Sequence, residues 1–305
     1  MTDLLVPDAT RTLVTAGAKP PRRRPVAGAK RPARRIGRVI GYAVMILAAV
    51  ALLMPFFWMI MSSLKTPNDV FSAPVKWFPE TWVWSNYVDI WTQSGMLTWI
   101  RNTLVLAVVV TFLQVLTGSF AAYGFSRMRF PGRDVLFLVY IGTIAVPWQS
   151  YMIPQFILLS NAKVSNTLWA IILIQAFGAF GVFLMKQYYD TIPEDLSEAA
   201  RLDGLSEYGI WARIMLPLSI PAIASLTLLT FVNTWNDYLG PLIYLRSPDL
   251  WTIQLGLQSF VSTLYDANYA LLFAGLTMSV VPIAIVFLFG QKYFVEGIAT
   301  SGMKG

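Results

Sequence analysis

The 305-residue chain has no cysteine and no histidine. That removes thiol nucleophiles, disulfides, thiolate and imidazole metal sites, and imidazole general bases in one stroke. Charge is scarce as well, at 13% of residues, against 56% hydrophobic residues and a mean hydropathy of +0.58. A water-soluble domain carries about a quarter charged residues, so a soluble fold is excluded on composition. A nucleotide-cradling loop of the type G-x-x-x-x-G-K-[ST] is also missing, and no Gly-Lys dipeptide occurs.

What is present is a set of long uncharged runs. Residues 39–64, 102–126, 135–162, 164–185, 214–236 and 267–291 contain no Asp, Glu, Lys or Arg. Each reaches the roughly 20 residues that a helix needs to cross a hydrocarbon core about 30 Å thick. Within lipid the backbone must satisfy its own hydrogen bonds, and uncharged runs of this length do so as helices. The expected fold is therefore all-α and integral to a membrane, with six transmembrane helices.

Lys and Arg set orientation. With a cytoplasmic N-terminus, eighteen of them fall inside, ten before Val39 and others at Arg127, Arg129, Arg133, Lys186, Arg201, Arg213, Lys292 and Lys304. Only Lys65, Lys76, Arg101, Lys163 and Arg246 fall outside. Both termini are thus expected in the cytoplasm of a multi-pass membrane protein. Residues 1–38, with Pro20-Pro21-Arg22-Arg23-Arg24-Pro25, read as a disordered basic tail whose partner is anionic lipid rather than nucleic acid. Residues 39–305 are expected to form a single six-helix membrane domain. The first apolar run is too long for a signal-peptide core and reads as an uncleaved helix. Between the first two runs, Trp77, Trp82, Trp84, Trp91 and Trp99 interleave with Pro74 and Pro79. They read as an aromatic belt at the headgroup level, the alternative being a docking surface for an external partner.

The loop 191–217 carries the strongest signal. Thr191 and Glu194 are spaced as a capping box, Pro193 suits a first turn, and Gly204 stands where a left-handed stop is expected. Glu198 and Arg201 are spaced to pair, and Ala199 with Ala200 offers a shallow patch that another backbone can approach. Ser206 opens a second short helix that runs through Trp211 and Ile214 into Leu216-Pro217. Physics alone leaves two readings open: a peg for a partner's groove, or a connector between spans.

Glu198-Ala199-Ala200, Gly204 and then Ile214-Met215-Leu216-Pro217 resemble the EAA loop of ATP-binding-cassette importer permeases. The wider chain is similar to permeases of the carbohydrate-uptake, maltose-permease-like family from about Gly41 to the C-terminus. Matching pieces include Arg101-Asn102-Thr103-Leu104, Ala121-Ala122-Tyr123, Phe130-Pro131-Gly132-Arg133, Trp235-Asn236-Asp237 and Ser301-Gly302-Met303-Lys304-Gly305. The resemblance implies the type I importer permease fold. It further implies a second related permease, two cytosolic ATPase subunits that hold ATP and Mg, and an extracellular solute-binding protein. Glu198, Ala199, Ala200, Arg201, Asp203 and Gly204 would form the coupling helix that docks into the ATPase. No catalytic residue, metal or bound cofactor is expected on this chain, and a sugar or related polar solute is the expected cargo.

Polar side chains at membrane depth are expensive and so mark a candidate path. Asn233, Asn236 and Asp237 cluster at the end of the fifth run. Gln149 lies between Pro147 and Pro154, which should kink or unwind the third. The family often has an acidic residue where Gln149 stands. A competing reading of Asp237 and the asparagines is that they tie helix ends together. An ion-gradient-driven transporter is the alternative function. An intramembrane enzyme is a further rival, but without His, Cys or clustered carboxylates it lacks catalytic parts.

Overall fold

A computed structural model of the chain describes residues 32–261 and 268–302, with side chains described over 38–261 and 268–291. The basic tail over 1–31 and the terminal Met303, Lys304 and Gly305 lie outside the described residues. Among the described residues the protein is helical, in the order α1 (Pro32–Ser63), α2 (Asn86–Thr92), α3 (Met96–Arg127), α4 (Arg133–Gly142), α5 (Met152–Asn161), α6 (Leu168–Gln175), α7 (Ala179–Tyr189), α8 (Asp195–Leu202), α9 (Glu207–Ile210), α10 (Leu216–Leu218), α11 (Ile220–Trp235), α12 (Leu239–Tyr244), α13 (Ile253–Gln258) and α14 (Tyr269–Gly302).

Two compact units divide the chain between Met54 and Pro55. In the first, the described part is the start of α1, which begins at Pro32, ahead of the apolar run. Everything from Pro55 onward belongs to the second.

Among the described residues, four helices are long and apolar enough to cross a membrane, Arg38–Ser63, Met96–Arg127, Leu168–Tyr189 and Tyr269–Gln291. A fifth counts if the bent pair Glu207–Leu218 and Ile220–Trp235 is one span. Its 81° bend falls at Ser219, between Pro217 and Pro221, and the Ser219 hydroxyl bonds back to Met215 O at 2.7 Å. The run 135–162, expected to kink or unwind at its prolines, is α4 and α5, joined by short 3-10 turns at Thr143–Ala145 and Trp148–Ser150. Pro147 is the cause: a proline pushes the residue before it out of the helical region, and Val146 is extended at φ −86°, ψ 110°.

Three apolar clusters hold the second unit together. One joins Ala122 and Tyr123 of α3, Val182 and Met185 of α7, Ala200 of α8, Ile210 and Met215 of the following segment, and Leu226 of α11. A second gathers Met96, Trp99, Phe231, Trp235, Ile253 and Leu257, and a third joins Leu106 and Val110 to Ile171 and Tyr244. The opposite faces of α3 and α4 stay apolar and exposed, as at Phe112, Val135 and Leu138, which suits lipid rather than water. α3 and α7 approach closely through glycines: a Cβ on Gly118 would stand 3.3 Å from the Gly181 backbone.

Candidate functional site

At one end of α3 the chain builds a small platform around α8. Arg127 fixes the loop that follows α7, its buried guanidinium donating to Tyr189 O at 2.6 Å and to Ile192 O. Ser126 adds a bond to Asp190 at 2.7 Å. α8 starts at Asp195, later than the expected Thr191 cap, because the Thr191 hydroxyl bonds back to Tyr188 O at 2.7 Å and caps nothing. Gly204 does adopt the expected left-handed conformation at φ +82°. The Ser206 hydroxyl then caps α9 by accepting from Gly209 N at 3.3 Å.

The two alanines of the motif part company. Ala200 is buried against the helix bundle, with Ser197 beside it, whereas Ala199 faces out. The patch expected of the pair is therefore left to Ala199 alone, since the inner alanine seats the helix on its own protein. Glu198, Leu202 and Asp203 share the outward side with Ala199, and Leu202 is 89% exposed. The expected Glu198–Arg201 pair is not formed. Arg201 turns instead to Glu207, with Nε to Oε1 at 2.8 Å and Nη2 to Oε2 at 3.3 Å. A bidentate, partly shielded pair is stronger than an exposed one along the helix, and the Glu207 carboxylate holds the Arg201 guanidinium more firmly protonated than usual.

The second site is a cleft of about 470 Å³ among α3, α6, α7, α11 and α12, lined in part by Gln114, Trp148, Gln175, Thr230, Asn233 and Asp237. It forms where helices break. Between α6 and α7 the chain unwinds through Ala176 and Gly178, freeing two carbonyls. Gln114 Nε2 donates to Gln175 O at 2.7 Å, and Thr117 Oγ1 donates to Ala176 O at 2.9 Å. Gly178 permits this, since a Cβ there would stand 3.0 Å from the Gln114 amide oxygen. The break between α11 and α12 is spanned by Asp237, which accepts from Gln175 Nε2 at 2.7 Å and from Gly240 N at 3.1 Å.

Of the path residues expected from sequence, Asn233 and Asp237 line this cleft. Asn233 is exposed within it, while Asp237 is engaged in tying the two breaks. Asn236 does not line it: its amide bonds to Val232 O at 2.9 Å and it meets Gln254 at 3.4 Å. The reason is the helical turn between neighbours, which sends Asn236 about 100° away from Asp237. Gln149 is exposed outside the cleft, and its neighbour Trp148 is the residue that turns in, held by Gln155 at 2.8 Å. Sequence reasoning passed over Gln114, Gln175, Thr230 and Thr234. The signal was available, because Gln114 and Gln175 are amides in the interior of long apolar runs.

Residues 114–300 match the family described as binding-protein-dependent transport system inner membrane component. The chain belongs to this family. Among its relatives, this permease is 35% identical over 269 residues to the arabinooligosaccharides transport system permease protein AraQ of Halalkalibacterium halodurans, covering 87% of this chain and 95% of that one. It is 32% identical to the maltodextrin transport system permease protein MdxG of Bacillus subtilis, over 90% and 98% of the two chains. A chain in the crystal structure of a bacterial ABC transporter for import of the acidic polysaccharide alginate superposes with a TM-score of 0.77 at 24% identity, covering 87% of the permease and 98% of that chain. That likeness shows the importer-permease fold. The permease is a transport subunit and not an enzyme, and the ion-gradient alternative finds no support.

Proposed function

We propose that the permease imports a sugar or related polar solute through the bacterial inner membrane, driven by ATP bound with Mg in two separate ATPase subunits. A second related permease completes the pathway, an extracellular binding protein delivers the solute, and both termini lie in the cytoplasm. The observation that carries this reading is the two-sidedness of α8. Its inner face is buried at Ser197 and Ala200, and its outer face presents Leu202 almost wholly exposed beside Glu198, Ala199 and Asp203. An apolar side chain held out on a firmly seated helix fits a partner's groove better than it fits water. In this reading Arg201 braces the coupling helix from within and Gly204 ends it.

Cargo class follows from the cleft. Amides, hydroxyls and the Trp148 indole offer hydrogen bonds and a ring face, beside the Asp237 carboxylate that is hydrogen-bonded to Gln175 and Gly240, which suits sugar hydroxyls. The names of the relatives, arabinooligosaccharides and maltodextrin among them, point the same way. The loops assigned to the outside meet at the far end of α3, where Asn166 bonds Ser247 at 2.9 Å and Asn102 bonds Asp249 O at 2.9 Å. The loops assigned to the cytoplasm meet at the platform. To test the docking, Leu202→Asp and Glu198→Lys are introduced and co-purification with the ATPase subunits is measured. Loss of the complex is expected, and wild-type recovery with both variants would reject the coupling role.

A further inference from the structure

We propose that α3 is the rod that carries motion from α8 to the cleft, and that Glu207 is the joint connecting them; this rests on the docking of α8 proposed above. α3 is a single unbroken helix of 32 residues without proline, about 48 Å long at 1.5 Å per residue. Every other long apolar run in the second unit after it is broken, bent or interrupted by proline: the third and fourth by unwinding, the fifth at Ser219, and α14 by an internal Pro282.

The rod is bonded at three stations. At the platform, Tyr123 OH donates to Glu207 Oε2, and Arg127 and Ser126 hold the chain at Tyr189 and Asp190. About 13 Å along, Gln114 and Thr117 hold the two carbonyls freed between α6 and α7. Towards the far end, Asn102 Nδ2 donates to Trp251 O at 3.1 Å, and Thr103 Oγ1 accepts from Ile253 N at 2.8 Å. A shift of α3 along its axis is therefore felt at the cleft and at the opposite loops together.

Glu207 is singled out by what it bridges. α8 and α9 are separate short helices divided by the left-handed turn at Gly204. The Arg201–Glu207 clamp crosses that turn and makes the two move as one. The second bond of the same carboxylate, from Tyr123, attaches the pair to the rod. Apolar contacts at Ala200, Ile210 and Met215 seat α8 regardless, but such contacts are non-directional and permit sliding. A charge-assisted hydrogen bond fixes direction. Glu207 is thus a positioning residue: its two carboxylate oxygens are taken up by Arg201 and Tyr123.

The absence of cysteine in the permease makes a direct test possible. Asn233→Cys places a reporter in the cleft, and its rate of modification by a hydrophilic methanethiosulfonate ammonium reagent is followed on this subunit in the complete transporter in proteoliposomes. With the parent joint, trapping by ATP and vanadate is expected to change that rate by at least about fivefold. Adding Glu207→Gln, or separately Tyr123→Phe, is expected to leave co-purification with the ATPase intact and to collapse the nucleotide-dependent change to less than about twofold. Glu207→Asp, which keeps the carboxylate, is expected to retain about half of it. A full nucleotide-dependent change in the Glu207→Gln transporter would overturn the proposal. Failure of the parent to retain the ATPase would instead overturn the docking of α8, and the relay with it.

Discussion

Substitution of Gly256 by alanine puts two effects of opposite sign in competition, and their magnitudes predict which wins. Gly256 lies inside α13, and alanine in a helix interior gains up to about 1 kcal/mol over glycine. A Cβ built there, however, overlaps Cδ2, Cε2 and Cε3 of Trp99, the body of the indole. Trp99 cannot readily step aside: it is 6% exposed and meets Phe260 edge-on at 6.1 Å between ring centres. Overpacking of this kind costs about 1–3 kcal/mol, and a rigid ring caught across its middle belongs at the upper end. Gly256→Ala is therefore expected to lower stability by about 2 kcal/mol net. In a Trp99→Leu background the overlap disappears, and the same substitution is expected to stabilise by up to about 1 kcal/mol. The assay is the unfolding midpoint of the detergent-solubilised permease for all four members of the cycle. A Gly256→Ala shift of the same sign and size in both backgrounds would refute the packing argument.

Two further expectations concern the ends of the molecule. Arg127→Met keeps the aliphatic stem but removes the donor to Ile192 O, which costs about 1–3 kcal/mol for a carbonyl left unpaired; the unfolding midpoint should fall and recover in part with Arg127→Lys. At the other end, Asp69 accepts from Thr66 Oγ1 at 2.7 Å and pairs with Lys76 at 3.1 Å, and these two hydrogen bonds hold its carboxyl below the usual range. A depressed folded value means that the contribution is present above the unfolded value, about 3.9, and is lost as pH falls through the folded one. Amide-exchange protection over residues 66–80, measured against intrinsic rates, is expected to fall below about pH 4, and Thr66→Val should shrink that fall.

The all-helical, membrane-integral character was legible in the sequence because apolar run length reports directly on lipid. The break at Pro147 and the left-handed turn at Gly204 were legible for the same kind of reason, since both follow from backbone chemistry local to one residue. The unwinding at Ala176–Gly178 was not, because no proline announces it and its support comes from Gln114 and Thr117, some sixty residues away. Arg201 misled for a related reason: spacing along a helix exposes Glu198 as a partner, but only the folded turn brings Glu207 within 2.8 Å. Asp237 was found as a polar residue at depth, yet its engagement with Gln175 and Gly240 depends on two breaks meeting.

Adjacent alanines that face opposite ways give α8 two independent alphabets. Positions 197 and 200 answer to the permease's own interior, while in the proposed docking 198, 199, 202 and 203 answer to whatever sits beneath. Exchanging only the latter four between permeases should therefore redirect the choice of motor without touching the stability of the subunit that receives it.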